Sequence, residues 1–240
     1  MSKDHIDINF DMRTDSNGKD PDYASGTLRQ YHRLLWSKCL PNGKLFNLDS
    51  TCENVYLMHK SDLGEFRLAS DSIIHTYYKW KRMQHIIQQI PEEEMLYFYN
   101  MVHTIGGYII LPSNSYKGTN TLNQERGMNR RINDRIDLTL ECIRRYYNDE
   151  ASPLYETIKR YHDFFMLFSD FRGYCEFFLL QDLIRDDGTK IKFFLPFDDF
   201  INNPLPNNTE EYKVYMNNNI EFLSKRNNRI KLYDDTMLNK

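Results

Sequence analysis

The chain has 240 residues and a mass of 28.9 kDa, enough for one large domain or two small ones. Its 31 Lys plus Arg stand against 34 Asp plus Glu, a net charge of -3, which argues against a protein that coats long duplex nucleic acid. With 17 Tyr and 15 Phe it can build an aromatic-rich core, and no run reaches the roughly 18–20 apolar residues of a membrane span. The charged start, Met1 to Asp7, does not read as a secretory signal. Cys39, Cys52, Cys142 and Cys175 form no CxxC pair, so reduced thiols and a cytoplasmic location are expected.

Residues 1–48 read as a polar, turn-rich segment packing on the rest, 49–231 as a mainly helical core domain and 232–240 as a tail. In the first segment, Asp15-Ser16-Asn17-Gly18 and Asp20-Pro21-Asp22 carry turn chemistry, and Thr27–Trp36 reads as a short helix. Val55–Met58 and Glu65–Leu68 flank Ser61-Asp62-Leu63-Gly64 as a hairpin. Ile73, Tyr77, Trp80, Met83 and Ile87 recur at helical spacing, which predicts a helix capped by Ser70 or Asp71 and running to Gln89. Pro91 followed by Glu92, Glu93 and Glu94 starts a second helix that stops before Gly106-Gly107, with Tyr108–Leu111 as a short strand. The stripe Met128, Ile132, Ile136, Leu140, Ile143 predicts one long helix over 125–147, and Ser152-Pro153 starts another ending near Gly173. Residues 174–184 fit a helix or a strand, with helix favoured, and a strand is expected over 191–195. Thr209 with Glu210 and Glu211 predicts a final helix to Lys231. The expected fold is α+β: mainly helical, with about six helices and a few short strands.

The most unusual local feature lies at 126–145, where Arg126, Arg130, Arg131, Arg135, Arg144 and Arg145 alternate with Asn129, Asp137 and Glu141. On one helix, Arg126, Arg130, Asp134, Asp137, Glu141 and Arg145 would share a face. Guanidinium forks suit phosphate oxygens, although i,i+4 pairing among these same residues explains such a face without a ligand. As a site, Arg126, Arg130, Arg131 and Asn129 would hold phosphate, while Asp137 or Glu141 would act as base or metal ligand. His103 precedes the Gly106-Gly107 pair, where backbone can approach a ligand closely; a helix stop accounts for the same glycines. The seven histidines form no HxxxH, and no GxGxxG, GxxxxGK[ST] or GxSxG occurs. Asp198-Asp199 offers two adjacent carboxylates, more simply read as an acidic loop.

The string from Thr104 to Leu111, with Asn114 following, resembles the glycine-containing segment of HNH-type nuclease domains, although Gly107 replaces an expected Asn and no Asp-His pair lies upstream. Over most of the chain, Tyr31 to Lys38, Leu40 to Gly43, Arg135 to Arg144, Tyr161 to Phe165 and Phe194 to Asp198 resemble an uncharacterised family of bacterial and phage-borne proteins of unknown function. That resemblance implies no activity. The expectation from the residues is a protein binding a phosphate-bearing ligand, nucleotide or nucleic acid, with hydrolytic or nuclease-like activity. The alternative is a non-catalytic interaction or small-ligand-binding protein. Neither reading requires a membrane or names a cofactor.

Overall fold

The computed structural model describes residues 5–48, 57–185 and 188–238. In chain order these form α1 (Pro21–Ala24), α2 (Gly26–Trp36), β1 (Lys38–Cys39), β2 (Leu45–Phe46), β3 (Leu57–Ser61) and β4 (Gly64–Ser72). Next come α3 (Gln84–Ile87), α4 (Glu92–Val102), β5 (Tyr108–Pro112), α5 (Leu122–Met128) and α6 (Ile136–Tyr147). The remainder is α7 (Tyr155–Arg160), α8 (His162–Met166), α9 (Phe171–Phe177), β6 (Ile184–Arg185), β7 (Lys190–Ile191) and α10 (Thr209–Leu238). The expected α+β class holds, with helices packed around three small antiparallel sheets. Among the described residues no helix is long and apolar enough to cross a membrane.

The largest sheet has the order β3-β4-β5. Its hairpin sits where the Ser61–Gly64 turn places it, with Ser61 opposite Gly64 and Leu57 opposite Leu68; Val55 and Tyr56 lie outside the described residues. Gly64 adopts φ 133°, a conformation that side-chain-bearing residues rarely enter. All five residues of β5 are buried, as the apolar run Tyr108–Leu111 suggests. The 30-residue α10 packs against the turn just before this strand and against α4. It buries Tyr212, Tyr215, Phe222, Leu223 and Ile230. Buried Arg226 donates to the carbonyls of Gly106 (2.6 Å), Tyr108 (2.8 Å) and Phe178 (3.0 Å), so a cation replaces the missing backbone partners there. The N-terminal segment joins the same core through Ile6 and Met12.

Three predicted helices are cut. Ser70 and Asp71 do not cap a helix: Ser70 pairs with Ile110 and Asp71 with Ile109 in the β4–β5 ladder. Strand pairing commits the backbone groups that a helix start would need, and only Gln84–Ile87 of the 70–89 segment is α-helical. Ile73, Tyr77, Met83 and Ile87 are nevertheless buried, because the segment folds as turns over the core. The 125–147 helix is likewise two helices. A Thr121–Gln124 capping box starts α5, and the chain reverses through Asn133 (φ 48°) and Asp134 (φ 61°) before α6. Met128, expected on the apolar stripe, is 69% exposed. The 153–173 helix breaks at Tyr161 and again at Ser169 (φ 69°), after which Asp170 caps α9 through Gly173 N (2.7 Å). Residues 174–184 complete α9, form a 3-10 turn at Gln181–Leu183 and begin β6. The strand expected over 191–195 reduces to β7, since Phe194 and Leu195 lie past its end. The cap of α10 is Asn208, which accepts from Glu211 N at 2.8 Å, and the helix continues past Lys231 to Leu238.

Candidate functional site

The break at 129–135 disperses the charged face. Arg126 is fully buried; its guanidinium donates to the Asp71 carboxylate, to Asp134 O (2.9 Å) and to Ser72 O (3.3 Å). Arg135 is buried against Asp137 and donates to Pro204 O (2.7 Å), while Asp137 also accepts from Phe194 N (2.9 Å). Glu141 is clasped by Arg144 and Arg145, each at 2.8 Å. Asp137 therefore joins α6 to the Phe194 segment, whereas Glu141 pairs within α6 itself; both are buried. Arg130 and Arg131 are exposed, and Asn129 accepts from Arg131 N at 3.0 Å, closing the turn. Gly106 and Gly107 are buried beneath α10, where Gly106 N donates to Asn227 Oδ1 (2.8 Å).

Two sequence candidates reach clefts: Arg131 lines an open cavity of about 410 Å³ with Arg145 and Asp199, and His103 lines a second one. His103, at the end of α4, lies in the wall of an open cavity of about 440 Å³ together with Asp20, His75, Trp80 and Tyr99. Its Nδ1–H donates to Tyr99 O at 2.7 Å, and burial lowers its proton affinity. The cavity opens between α1, the end of β4, the 73–80 turns and α4. Those turns are strained: Tyr77 has φ 56°, uncommon for a bulky residue, and its N–H donates to His75 Nδ1 at 2.8 Å. That bond leaves the imidazole proton on Nε2. The Tyr77 hydroxyl donates to Asn133 O (2.8 Å), tying this strain to the left-handed pair at 133–134.

Behind the cleft wall, short helix α1 sets Asp22 against Asp71 of β4. Asp22 Oδ1 is buried without a well-formed hydrogen bond, its neighbours being the Asp71 carboxyl and the Ser72 amide. Burial first, then the charges of Asp71 and Asp20, push Asp22 up to about 8. Asp71 is pushed up to about 6 by burial, with Arg126 opposing and Asp134 assisting. The two carboxyls therefore share a proton at neutral pH, the protonated share lying on Asp22 and the charge on Asp71 beside Arg126. His75, held below its ordinary value mainly by burial, feels the same Asp134 and Arg126. Among the described residues no three His, Cys, Asp or Glu side chains are grouped to hold a metal ion. Cys39, Cys142 and Cys175 are free thiols.

Sequence reasoning did not single out Asp22, and it read Asp71 as a helix cap. Their only local signal is the Asp20-Pro21-Asp22 turn ahead of a small helix; the pairing with Asp71 exists only in three dimensions.

Fold and site thus define an α+β protein with an aromatic cleft backed by a half-buried carboxyl pair. The chain belongs to DUF6994, a family of unknown function, whose model matches residues 6–230. No curated protein and no solved structure matches it.

Proposed function

We propose that the protein binds a small phosphate-bearing ligand, a nucleotide or a nucleic-acid strand end, in the His75–His103 cleft and transfers a proton there through Asp22 and Asp71. The single observation that carries this reading is a proton-sharing carboxyl pair, Asp22 and Asp71, set just behind Asp20 and Ser72 in the lining of an open, aromatic-lined cavity. Perturbed carboxyls beside a cleft are a mark of acid–base chemistry, because burial keeps one group protonated while an arginine keeps the other charged. Asp22 would act as acid and Asp71 as base, in a hydrolytic reaction.

The rim supplies cations. Lys79 lines the cleft, Arg82 stacks on Trp80 at 4.4 Å, and Asn133 links Arg82 to the loop bearing Arg130 through bonds of 3.2 and 2.8 Å. Lys79, Arg82 and Arg130 are exposed, whereas buried Arg126 and Arg135 already hold carboxylates. Trp80 and Tyr99 offer ring faces for a base. A non-catalytic interaction role draws instead on Tyr78, Leu96 and Tyr97, each more than half exposed.

The test is calorimetric titration with a panel of nucleotides and short single-stranded oligonucleotides at low and moderate salt. Binding that weakens with salt and is lost in the Lys79→Ala/Arg82→Ala double variant is the expected result. Asp71→Asn should retain binding and lose turnover. If no panel member binds, or if the double variant binds as the parent does, the reading fails. Loss of function on Leu96 and Tyr97 substitution with Asp71→Asn unaffected would favour the interaction role.

A further inference from the structure

A further cavity lies where the end of α6 meets α7 and α8. Its volume of about 480 Å³ falls in the range of small-ligand pockets, and it shares no lining residue with the His75–His103 cleft. Four rings line it: Tyr146 and Tyr147 in the last turn of α6, Tyr155 opening α7 and His162 opening α8. Tyr146 meets Tyr155 at 5.7 Å and 60°, Tyr147 at 6.1 Å and 62°, and His162 at 6.4 Å and 76°. Rings at such steep angles cover one another by an edge and not by a full face, so they wall a basket.

The polar ends of these rings are already engaged. Tyr155 donates to Asp149 Oδ1 (2.5 Å), Tyr147 donates to Phe165 O (2.5 Å), and the Tyr146 hydroxyl is bonded to His162 Nδ1 (2.6 Å). A ligand is therefore offered ring faces and one carboxylate, Asp149, which also lines the cavity. Ring faces attract cations through their quadrupole. A cation rich in N–H donors would leave them poorly paired here, whereas one without donors loses nothing.

We propose that this basket binds a small organic cation bearing a trimethylammonium group, with its methyls against the tyrosine faces and its charge beside Asp149. The surrounding charge has the same preference: just outside the basket, Glu156 and Asp163 act on Tyr155 and Tyr146. Lys159 is the one lysine or arginine in the lining. It is exposed, and among the described residues its amine holds no ion pair, so its long side chain is free to leave the mouth.

The probe is choline, titrated calorimetrically into the full chain against its uncharged isostere dimethylbutanol. Choline is expected to bind at least about tenfold more tightly than the isostere. Tyr155→Leu should weaken choline by about fivefold and Asp149→Asn by about threefold, whereas Lys159→Gln should tighten it by roughly twofold. Tighter binding of a trimethyllysine peptide than of choline would support the same chemistry and place the group on a protein partner instead of a free metabolite. Equal binding of choline and its isostere, no binding of choline at millimolar concentration, or tightening by Asp149→Asn overturns the proposal. The first comparison uses the parent chain alone, so the folding of a variant does not enter it.

Discussion

Asp22→Asn separates the energetics of the carboxyl pair from its chemistry. The folded state raises this carboxyl from 3.8 to about 8, so between those limits the folded chain binds the proton more tightly than the unfolded chain. The contribution of Asp22 to stability is therefore fully present below about pH 4 and is lost as pH rises towards 8. At 1.36 kcal/mol per pH unit, a rise of about 4 units sets a ceiling of roughly 5 kcal/mol, shared with Asp71 because the two titrate together. Asparagine imitates the protonated form: its oxygen can face the Ser72 amide and its NH₂ can donate to Asp71. Near pH 4 the variant should match the parent. Near pH 8 it should be more stable, by ~2–4 kcal/mol, while losing whatever turnover the cleft supports. Urea unfolding at both pH values reads the difference as a shift in midpoint at constant slope. Equal midpoints at pH 8, or equal destabilisation at both pH values, would mean that Asp22 is not held protonated.

Four other outcomes follow from the same geometry. Turnover should rise with an apparent pKa near 6 as Asp71 ionises and fall near 8 as Asp22 loses its proton; a profile flat across that range would contradict the assignment. Glu141→Ala leaves the Arg144 and Arg145 guanidiniums without their buried acceptor, at a cost of ~2–3 kcal/mol and a melting drop of about 5–10 °C by calorimetry. Arg130→Ala, at an exposed position, should leave the melting temperature within about 2 °C and reduce the salt dependence of ligand binding. Gly107→Ala would place a Cβ 1.9 Å from Val102 O, so expression and circular dichroism should show loss of the fold.

Elements that depend on local chemistry were legible in the sequence. Pro91 and its three glutamates mark α4, although Pro91 occupies the cap rather than the first turn; the Ser61–Gly64 turn marks the hairpin; the apolar run marks β5. Helical periodicity misled wherever burial was shared with tertiary partners. Ile73, Tyr77, Met83 and Ile87 are spaced as in a helix and are buried as one would bury them, yet the β5 ladder had already taken Ser70 and Asp71. The 126–145 stripe misled for a second reason. Asn133 and Asp134 tolerate left-handed φ, and the reversal there lets Arg126 O accept from Asp134 N while the Arg126 side chain reaches Asp71, 55 residues away. Of the candidate site, His103 was visible from its place beside the glycine pair. Asp22 and Asp71 were not, because nothing local distinguishes a turn aspartate from one that will face another carboxyl.

The charge balance behind the cleft also limits how a ligand can lie. Asp71 and Asp134 flank one buried cation, Arg126, and Asp22 faces Asp71, so the floor behind the cleft lining carries surplus negative charge unless a proton stays on the pair. A phosphate placed against that floor would be repelled, and would raise the proton affinity of Asp22 further. Exposed cations stand instead at the cleft itself, Lys79 in its lining and Arg82 stacked on the lining residue Trp80. A phosphate-bearing ligand satisfies both regions only if its anionic end rests on the rim and a neutral part enters between Trp80 and Tyr99. The bond nearest the carboxyls is then on the uncharged portion of the ligand, and a protonated Asp22 can serve its leaving group. Neutralising the rim should weaken binding, whereas neutralising Asp71 should preserve binding and stop chemistry. A ligand bound phosphate-inward would reverse that order, because Asp71→Asn, which removes the charged member of the pair, would then tighten it.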